Sequence, residues 1–405
     1  MKKVIMLATY FPPAGGISTF RITKFVKYMR YFDWEPIVLT LDEMSYRECN
    51  FLIDQSLIKD IPENLTIYRT GLSKKPFLFK NLFNNIVTRW LPPLFSKIKY
   101  VVKKERPDLL FATGDPFFPL LAAPFANLLY GLKYVIDLRD PWKLEIPLHS
   151  PKGVRGKLKR PINNFLEPIV LNRASKVICV SEGMCKQYRE AYPMRPPEDF
   201  IAIPNGFDTD DYDSVPAVAY PQFTVVYAGK FLSGTSFRSP EYFLEALKIL
   251  KVKNIKICFK HIGEMNPEII AMVKKAGLSD QFESVGLLSY RDTISNMKGA
   301  GILLLIGNGQ ETEQTGKIFD YLGCKRPIMA LASKNSGIAD VVQDIEEIVL
   351  IENKDAKNIA VSLEEMYNKR NMEPIERANI SKYLRKKLTA DLAAVFNEVI
   401  TQSKK

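Results

Sequence analysis

Residues 311–330, with the sequence ETEQTGKIFDYLGCKRPIMA, combine residue types that bind a negatively charged ligand. Ile318, Tyr321 and Leu322 fall on one face at helical spacing, which predicts a short helix. Gly323 suits the left-handed residue that stops a helix, and the apolar run after it is typical of a parallel strand. The segment is therefore predicted to pass from a polar loop through a helix into a buried strand.

The start of this predicted helix brings complementary chemical groups together. Backbone N–H groups near Thr315 and Gly316, with the positive end of the helix dipole, favour an anion. Lys317 adds a full positive charge, and Asp320, one turn further on, offers a carboxylate that accepts hydrogen bonds from sugar hydroxyls. An anion-binding helix start is one interpretation, and an ordinary helix with a glycine cap is the other.

A pair of glycines follows the first apolar run, in the sequence TYFPPAGGISTFR. Gly15 and Gly16 let the backbone approach a ligand closely before a helix that begins near Ser18. The spacing is not GxGxxG, so a dinucleotide signature is absent. Arg21, one turn into the helix, is placed to reach a phosphate or carboxylate, with a plain surface arginine as the alternative.

The second half opens with a similar arrangement, VVYAGKFLSGTSFRSPEYFLEAL. Gly229 and Lys230 end a predicted strand, and Arg238 stands at the start of the next helix. Two fixed cations suit a departing diphosphate, because preorganised donors stabilise charge that develops in a transition state. A plain surface lysine is the alternative for Lys230. Residues 261–264, HIGE, follow the next strand and are expected to line the same edge.

The motif DLRDPW places Arg139 and Asp140 after another predicted strand, where reacting groups commonly lie in open sheets. We predict that they orient an acceptor. A buried structural Arg–Asp pair is the competing explanation.

Residues of metal sites and nucleophilic triads are scarce. Asp208 and Asp210 form a DTD triplet without a preceding apolar strand, so we expect solvated turn acids and assign no metal. His149 and His261 are the only histidines, which leaves little for a triad or a histidine-rich metal site. Five cysteines without a CxxC pair indicate reduced thiols in the cytoplasm.

Short apolar runs alternate with helical patterns, which predicts doubly wound parallel sheets. Predicted strands of the first half are residues 4–9, 37–40, 109–112, 134–138 and 177–180. Predicted strands of the second half are residues 223–228, 255–260, 302–306, 328–331 and 348–351.

The fold class is therefore α/β, with two Rossmann-like domains facing across a cleft between the carboxyl edges of their sheets. We assign residues 1–204 to the first domain, 205–221 to a polar linker and 222–384 to the second domain. The final helix, about residues 385–405, is predicted to pack back on the first domain. The opening residues MKKVIMLATYF are predicted to be a strand and not a signal peptide, and residues 116–132 a buried helix and not a membrane span.

Composition indicates a soluble globular protein with a strong basic bias. The 405 residues are 46% hydrophobic and 25% charged, with a net charge of +12. Residues 74–106 hold nine basic residues and one acid, interleaved with apolar residues that include Trp90, Leu91, Leu94 and Phe95. This pattern predicts a surface that rests on anionic lipid, with a solvated helix face as the alternative. Nucleic acid is not expected, since no binding module accompanies the charge.

Several stretches in order along nearly the whole chain resemble the GT-B-fold glycosyltransferases of family 4, and particularly the bacterial branch that builds surface polysaccharides. The matching stretches are FPPAGGISTFR, ERPDLLFATGDPFFP, YVIDLRDPW, ASKVICVSEGM, IPNGFDTDDY, VVYAGK and TGKIFDYLGCKRPIMAL. The resemblance implies retaining enzymes that use nucleotide-sugar donors.

The resemblance also implies site roles. Gly15 and Gly16 approach the donor phosphate and acceptor, and Lys230 and Arg238 hold the diphosphate. Asp320 occupies the second acid of the family's E-x7-E signature, which binds the nucleotide ribose. The position of the first acid of the signature falls on Thr312, which is flanked by Glu311 and Glu313. A shift of the alignment by one residue places either glutamate at that position. The predicted donor-binding residues are Gly15, Gly16, Gly229, Glu311, Thr312, Glu313, Thr315, Gly316, Lys317 and Asp320.

The sequence thus predicts a cytoplasmic, peripheral membrane glycosyltransferase that moves a sugar from a nucleoside diphosphate donor to a saccharide or lipid-linked saccharide. No metal or other cofactor is expected. Two alternatives remain: a nucleotide-sugar epimerase of the same fold, and a sugar-binding subunit without catalysis.

Overall fold

The computed structural model describes residues 1–74, 85–142, 154–231, 238–307, 315–343, 345–370 and 373–401. The chain divides into two compact units, Met1–Pro204 with Arg385–Lys405, and Asn205–Leu384. Each unit contains one sheet in which every described strand pairing is parallel.

The first unit is built on a seven-stranded sheet of order β3-β2-β1-β4-β5-β6-β7. Its strands are β1 (Lys2–Ala8), β2 (Trp34–Leu41), β3 (Thr66–Thr70), β4 (Leu109–Gly114), β5 (Tyr134–Leu138), β6 (Lys176–Cys179) and β7 (Phe200–Ala202). Its helices before the second unit are α1 (Ile17–Met29), α2 (Glu43–Glu48), α3 (Asn85–Glu105), α4 (Ala122–Tyr130), α5 (Val154–Leu171) and α6 (Glu182–Ala191).

The second unit is built on a six-stranded sheet of order β10-β9-β8-β11-β12-β13. Its strands are β8 (Thr224–Ala228), β9 (Cys258–Ile262), β10 (Phe282–Ser284), β11 (Ile302–Ile306), β12 (Ile328–Leu331) and β13 (Ile348–Ile351). Its helices are α7 (Asp210–Asp213), α8 (Glu241–Val252), α9 (Pro267–Lys275), α10 (Tyr290–Gly299), α11 (Lys317–Gly323), α12 (Gly337–Val342) and α13 (Ala356–Lys369).

The last helix, α14 (Arg385–Thr401), packs on the sheet of the first unit. The ring of Phe396 lies 5.4 Å from that of Trp34 and 5.6 Å from that of Phe111, measured between centroids. Residues 205–221 belong to the second unit and are partly packed, because Phe207, Tyr212 and Val215 are buried in its core.

The central strands match the predicted runs because strands covered on both faces are apolar throughout. Strands β3, β7 and β10 were not among the predicted strands. Strands β3 and β10 are edge strands without an apolar run, TIYRT and FES, and β7, also at an edge, has only three residues. All three therefore carry little hydrophobic signal. Strand β9 begins three residues later than predicted, at Cys258 instead of Ile255.

Helix α3 corrects part of the membrane prediction. Trp90, Leu91 and Leu94 are 0%, 4% and 0% exposed and pack in the core of the first unit, so they are not available to lipid. Phe95 is only partly buried at the edge of that core. The basic residues Lys99 and Lys103, by contrast, are exposed. No helix among the described residues is long and apolar enough to cross a membrane.

In each sheet the first strands along the chain extend the sheet in one direction, and the later strands extend it in the other. The position between the two series is the switch point of the sheet. In the first sheet this point lies between β1 and β4, and in the second it lies between β8 and β11. Ligands of open α/β sheets bind at the carboxyl ends of strands at such a switch point, since the loops diverge there. The loops after β1, β4, β8 and β11 are therefore the places to look for a site.

Candidate anion-binding site

The switch point of the second sheet is marked by Lys317 and Gly229. Gly229 follows β8 with φ +136°, and Lys317 begins α11, the helix after β11. The ammonium of Lys317 lies 4.6 Å from the centroid of the Tyr227 ring and donates a hydrogen bond of 3.2 Å to the Tyr227 hydroxyl. A lysine charge is thus held at the carboxyl edge of β8 by contacts with an aromatic side chain.

Tyr321 fixes helix α11 at this point. Strands β8 and β11 pair only at Ile302–Val225 and Leu303–Val226, so they separate toward their carboxyl ends. The hydroxyl of Tyr321 donates 2.9 Å to the carbonyl of Leu304 and accepts 3.2 Å from the backbone N–H of Ala228.

One buried hydroxyl therefore satisfies a backbone group on each of the two separating strands. It also sets the position of Lys317, which lies on the same helix. Sequence reasoning treated Tyr321 only as a core residue of the helix, because helical spacing gives no information about a hydrogen bond across a gap between strands.

Two further predicted cations lie at the same edge. Lys230 follows Gly229, is 63% exposed, and pairs with Glu264 at 2.8 Å. This contact lowers the pKa of the Glu264 carboxyl through hydrogen bonding and charge attraction from Lys230. The backbone N–H of Arg238 donates 3.2 Å to the carbonyl of Gly307, the residue after β11.

His261 supports the loop that carries these residues. Its Nε2 lies 2.8 Å from the carbonyl oxygen of Gly229, so Nε2 is the donor, and its Nδ1 lies 3.2 Å from the hydroxyl of Ser284. The side chain is fully buried and stacks on Phe231 at 4.8 Å. Burial lowers the pKa of His261 and the charge of Lys317 lowers it further, against the hydrogen bond to Gly229, which raises it. The ring is a neutral support for the loop.

Asp320 accepts hydrogen bonds from two tyrosines. Its Oδ1 accepts from the hydroxyl of Tyr212 at 2.8 Å and from that of Tyr290 at 2.9 Å. Burial and the Asp320 charge raise the pKa of both tyrosines, so both remain protonated donors. The predicted contact of Asp320 with a ribose stays a prediction, and the structure adds two partners that orient the carboxylate. Sequence reasoning missed both, because they lie 108 and 30 residues away along the chain.

The predicted role of Gly323 is wrong. Gly323 is the last residue of α11 and is not among the described residues with positive φ, whereas Lys325 has φ +55°. A Cβ on Gly323 would lie 2.6 Å from the ring of Tyr212. Glycine is therefore required here because the Tyr212 ring packs against its backbone, and the left-handed turn falls two residues later.

In the first unit, the glycine pair lies between β1 and α1, after a strand that borders the switch point of the sheet. Gly16 is exposed with φ +94° and precedes α1, and its carbonyl accepts from the N–H of Thr19 at 3.0 Å. Gly15 is anchored by a hydrogen bond of 2.8 Å from its N–H to the carbonyl of Leu52. An exposed backbone at a helix start is compatible with close approach of a ligand.

Arg21 is not a surface arginine, and the carboxylate that it reaches belongs to Asp137 of the same unit and not to a ligand. Its side chain is 2% exposed and pairs with Asp137, which is 0% exposed, at 2.8 Å. Its remaining N–H groups donate to the carbonyls of Ile203 and Pro204 at 2.9 and 2.8 Å. The predicted acceptor-side contact is therefore wrong for Arg21, because these buried partners occupy its guanidinium. The buried Arg–Asp pair considered for the DLRDPW motif exists, but between Asp137 and Arg21.

Arg139 connects the end of β4 with helix α1 at the switch point of the first sheet. Its guanidinium donates 2.8 Å to the carbonyl of Gly114, the last residue of β4, and 3.0 Å to that of Ser18 in α1, with a third contact to the carbonyl of Asp115. Burial lowers its pKa. Arg139 thus holds the loop and helix in place, whereas its neighbour Asp140 is exposed. The predicted catalytic roles of both residues stay predictions.

Three predicted donor-binding residues and two predicted turn acids remain. Glu311, Thr312 and Glu313 lie outside the described residues. Asp208, expected to be a solvated turn acid, is only 4% exposed, so that expectation is wrong, whereas Asp210 is exposed.

The two parallel sheets and their switch-point loops define a protein of the GT-B fold, and solved structures agree. A glycosyltransferase from Rickettsia africae has a TM-score of 0.61 at 13% identity, covering 99% of this chain and 96% of its own. A lipopolysaccharide outer core galactosyltransferase has a TM-score of 0.60 at 12% identity, covering 100% of both chains. UDP-GlcNAc 2-epimerase from Methanocaldococcus jannaschii has a TM-score of 0.56 at 12% identity, covering 98% of this chain and 100% of its own. At these identities the likeness shows the fold alone.

A family model matches part of the sequence. The family model Glycosyltransferase Family 4 matches residues 72–211. Together with the fold, this match confirms the predicted resemblance to the GT-B glycosyltransferases of family 4 and supports glycosyl transfer as the chemistry. No curated protein matches the chain.

Proposed function

We propose that the protein transfers a sugar from a nucleoside diphosphate sugar to a polysaccharide or lipid-linked saccharide, with retention at the anomeric carbon. Fold relatives include UDP-bound and UDP-GlcNAc-bound structures, which supports a nucleotide-sugar donor. The proposed location is the cytoplasmic face of a membrane.

The observation that carries this proposal is the position of Lys317 over Gly229 at the switch point of the second sheet. A diphosphate leaving group carries negative charge that grows as the glycosyl bond breaks. A lysine already held in place stabilises that charge without reorganisation in the transition state. Lys230 and Arg238, at the same sheet edge, add two more cations.

We assign the following roles to the residues of the site. Lys317, Lys230 and Arg238 bind the diphosphate, while Gly229 leaves room for the Lys317 ammonium. Asp320, oriented by Tyr212 and Tyr290, accepts hydrogen bonds from the ribose. Gly16 and Asp140, at the edge of the first sheet, bind the acceptor. No metal or protein nucleophile is proposed.

A ligand screen followed by a matched pair of variants tests the proposal. Nucleoside diphosphates with different bases are added separately, and the melting temperature is measured, since a ligand of the folded state raises it by mass action. We expect one base to stabilise the wild type, Lys317→Met to lose most of that stabilisation, and Lys256→Met to keep it. Lys256 is an exposed lysine of the same unit.

The corresponding nucleotide sugar is then incubated with saccharide acceptors, and release of the nucleoside diphosphate is measured. We expect Lys317→Met to reduce release about 100-fold, as for loss of a preorganised donor. Nucleotide binding without release for any acceptor would favour the non-catalytic sugar-binding subunit. Equal release by wild type and Lys317→Met would reject the proposed site.

An epimerase is the second candidate, because UDP-GlcNAc 2-epimerases share the fold. Such an enzyme needs an acid and a base beside the sugar. His261 is a poor choice, since both of its ring nitrogens have partners within the sheet edge. Formation of an epimer from the donor alone, without acceptor, would support this candidate over transfer.

A further inference from the structure

An apolar groove of about 750 Å³ lies on the surface of the first unit, between helices α3, α4 and α5. Its lining includes Phe95, Leu121, Phe125, Leu128, Phe165 and Ile169. Every one of these residues comes from the first unit, so the groove belongs to that unit alone.

Large apolar side chains are unusually exposed here. Leu128 and Leu129 on α4 are 68% and 48% exposed, and Phe165 and Ile169 on α5 are 69% and 41% exposed. Single exposed apolar residues are ordinary, but a contiguous patch marks a surface that binds something apolar. Three of these residues, Leu128, Phe165 and Ile169, line one groove between two neighbouring helices and form a patch of that kind.

Basic residues border the groove directly. The ammonium of Lys99 lies 5.4 Å from the centroid of the Phe125 ring, which itself lies 4.6 Å from the ring of Phe95. Phe95, Lys99 and Lys103 stand four residues apart and share one side of α3. Arg173, exposed just after α5, borders the groove as well.

Acidic residues are almost absent from the three helices. Their sequences contain only Glu105 and Glu167. Glu167 is fully buried and accepts hydrogen bonds from Tyr188 and Tyr192. Glu105 ends α3 and pairs with Lys3 at 3.2 Å. The groove and its border therefore present apolar and positive groups together.

We propose that this surface docks on an anionic lipid bilayer, with a hydrocarbon chain entering the groove and the α3 lysines contacting headgroups. Apolar contact with a positive border is complementary to a bilayer that carries negative lipids. A second copy of the chain is less suitable, because a two-fold contact would bring like charges against each other. The proposal rests on the proposed membrane location and makes it more specific. It assigns the apolar contact with lipid to exposed residues of α4 and α5, and not to the buried face of α3.

Vesicle sedimentation tests the surface with the full chain and without any glycosyl-transfer assay, so failure of either proposal is seen separately. Vesicles contain phosphatidylcholine alone, or phosphatidylcholine and phosphatidylglycerol at about two to one. We expect binding only to the mixed vesicles, weakened by high salt. Equal binding to both vesicles, or binding to neither, would overturn the proposal.

Two double variants separate the apolar and charged parts. Leu128→Ser with Phe165→Ser should weaken binding by roughly tenfold or more, since exposed side chains no longer enter hydrocarbon. Lys99→Gln with Lys103→Gln should weaken it by roughly 30-fold, because each basic residue near an anionic surface contributes about fivefold.

The matched controls lie on the second unit. Leu287→Ser removes an 81% exposed leucine, and Lys274→Gln with Lys275→Gln removes two exposed lysines from α9. Both should bind as the wild type does. Equal losses in the control and groove variants would show that total charge or general hydrophobicity is responsible, against the proposal.

A tryptophan probe distinguishes entry into hydrocarbon from attraction to headgroups. The native tryptophans, Trp34, Trp90 and Trp142, are all buried, so a tryptophan at position 165 adds a separate signal. Phe165→Trp should shift its emission to the blue with mixed vesicles and be quenched by lipids brominated on the acyl chain, while Leu287→Trp should not. A blue shift that rises with protein concentration in the absence of vesicles would instead indicate self-association and overturn the proposal.

Discussion

The ammonium of Lys317 occupies the place where a side chain at Gly229 would begin, since a Cβ there would lie 2.0 Å from Lys317 Nζ. We expect Gly229→Ala to displace Lys317 and to abolish the stabilisation by nucleoside diphosphates in a melting assay. Gly277→Ala is the matched control, because Gly277 also has a positive φ, +69°, but open space around its Cβ. If both variants lose ligand stabilisation equally, backbone strain and not Lys317 is responsible.

The Tyr321 hydroxyl is predicted to stabilise the fold where β8 and β11 separate, because it bonds a backbone group of each strand. Tyr321→Phe leaves the N–H of Ala228 and the carbonyl of Leu304 without this partner, at a cost of about 1–3 kcal/mol in the free energy of unfolding. Chemical denaturation measures it. Tyr31→Phe, at a site 68% exposed, should change the free energy little. An unchanged midpoint for Tyr321→Phe would mean that water or a shifted strand replaces the hydroxyl.

His261 is predicted to make folding sensitive to acid. Its pKa is lowered in the folded protein, so below about pH 6.5 the unfolded chain binds a proton that the folded chain resists. The His261 contribution is therefore present above that pH and is lost as the pH falls, by at most about 1.4 kcal/mol per pH unit.

Denaturation of the wild type and His261→Gln at several pH values checks this prediction. The stability advantage of the wild type should shrink from pH 7.5 to about pH 5. A difference that stays constant across the range would show that the histidine does not titrate differently in the two states.

The Arg21–Asp137 pair is predicted to act on stability and not on acceptor binding. Arg21→Met leaves a buried carboxylate without its cation, which costs about 3–5 kcal/mol in the free energy of unfolding. Arg47→Met removes an exposed partner of Glu43 and should cost about 0–1 kcal/mol. A fully stable Arg21→Met protein with a raised acceptor KM would restore the acceptor-side role.

Glu264 is predicted to compete with the diphosphate for Lys230. The pair is exposed on both sides, so Glu264→Gln should leave stability almost unchanged. Removing the carboxylate should tighten nucleoside diphosphate binding a few-fold, measured by calorimetry, with Glu268→Gln on α9 as the control. Weaker binding in Glu264→Gln would mean that the carboxylate positions Lys230 for the ligand.

Local sequence patterns predicted the doubly wound class, the central strands, the placement of Gly15, Gly229 and Lys230 after strands, and that of Lys317 at a helix start. These features depend on local periodicity and on residue type, which neighbours along the chain reveal. Edge strands β3, β7 and β10 were missed because they are short or only partly buried, so their pattern is weak.

The folded structure was needed to show which polar groups meet. Arg21 finds Asp137 after 116 residues, and Asp320 finds Tyr212 after 108. It also decided that Trp90 and Leu94 face the core while Phe165 and Leu128 face outward. The spacing of apolar residues predicts which face of a helix is apolar. It does not predict which segment packs on that face, because that segment is far away along the chain.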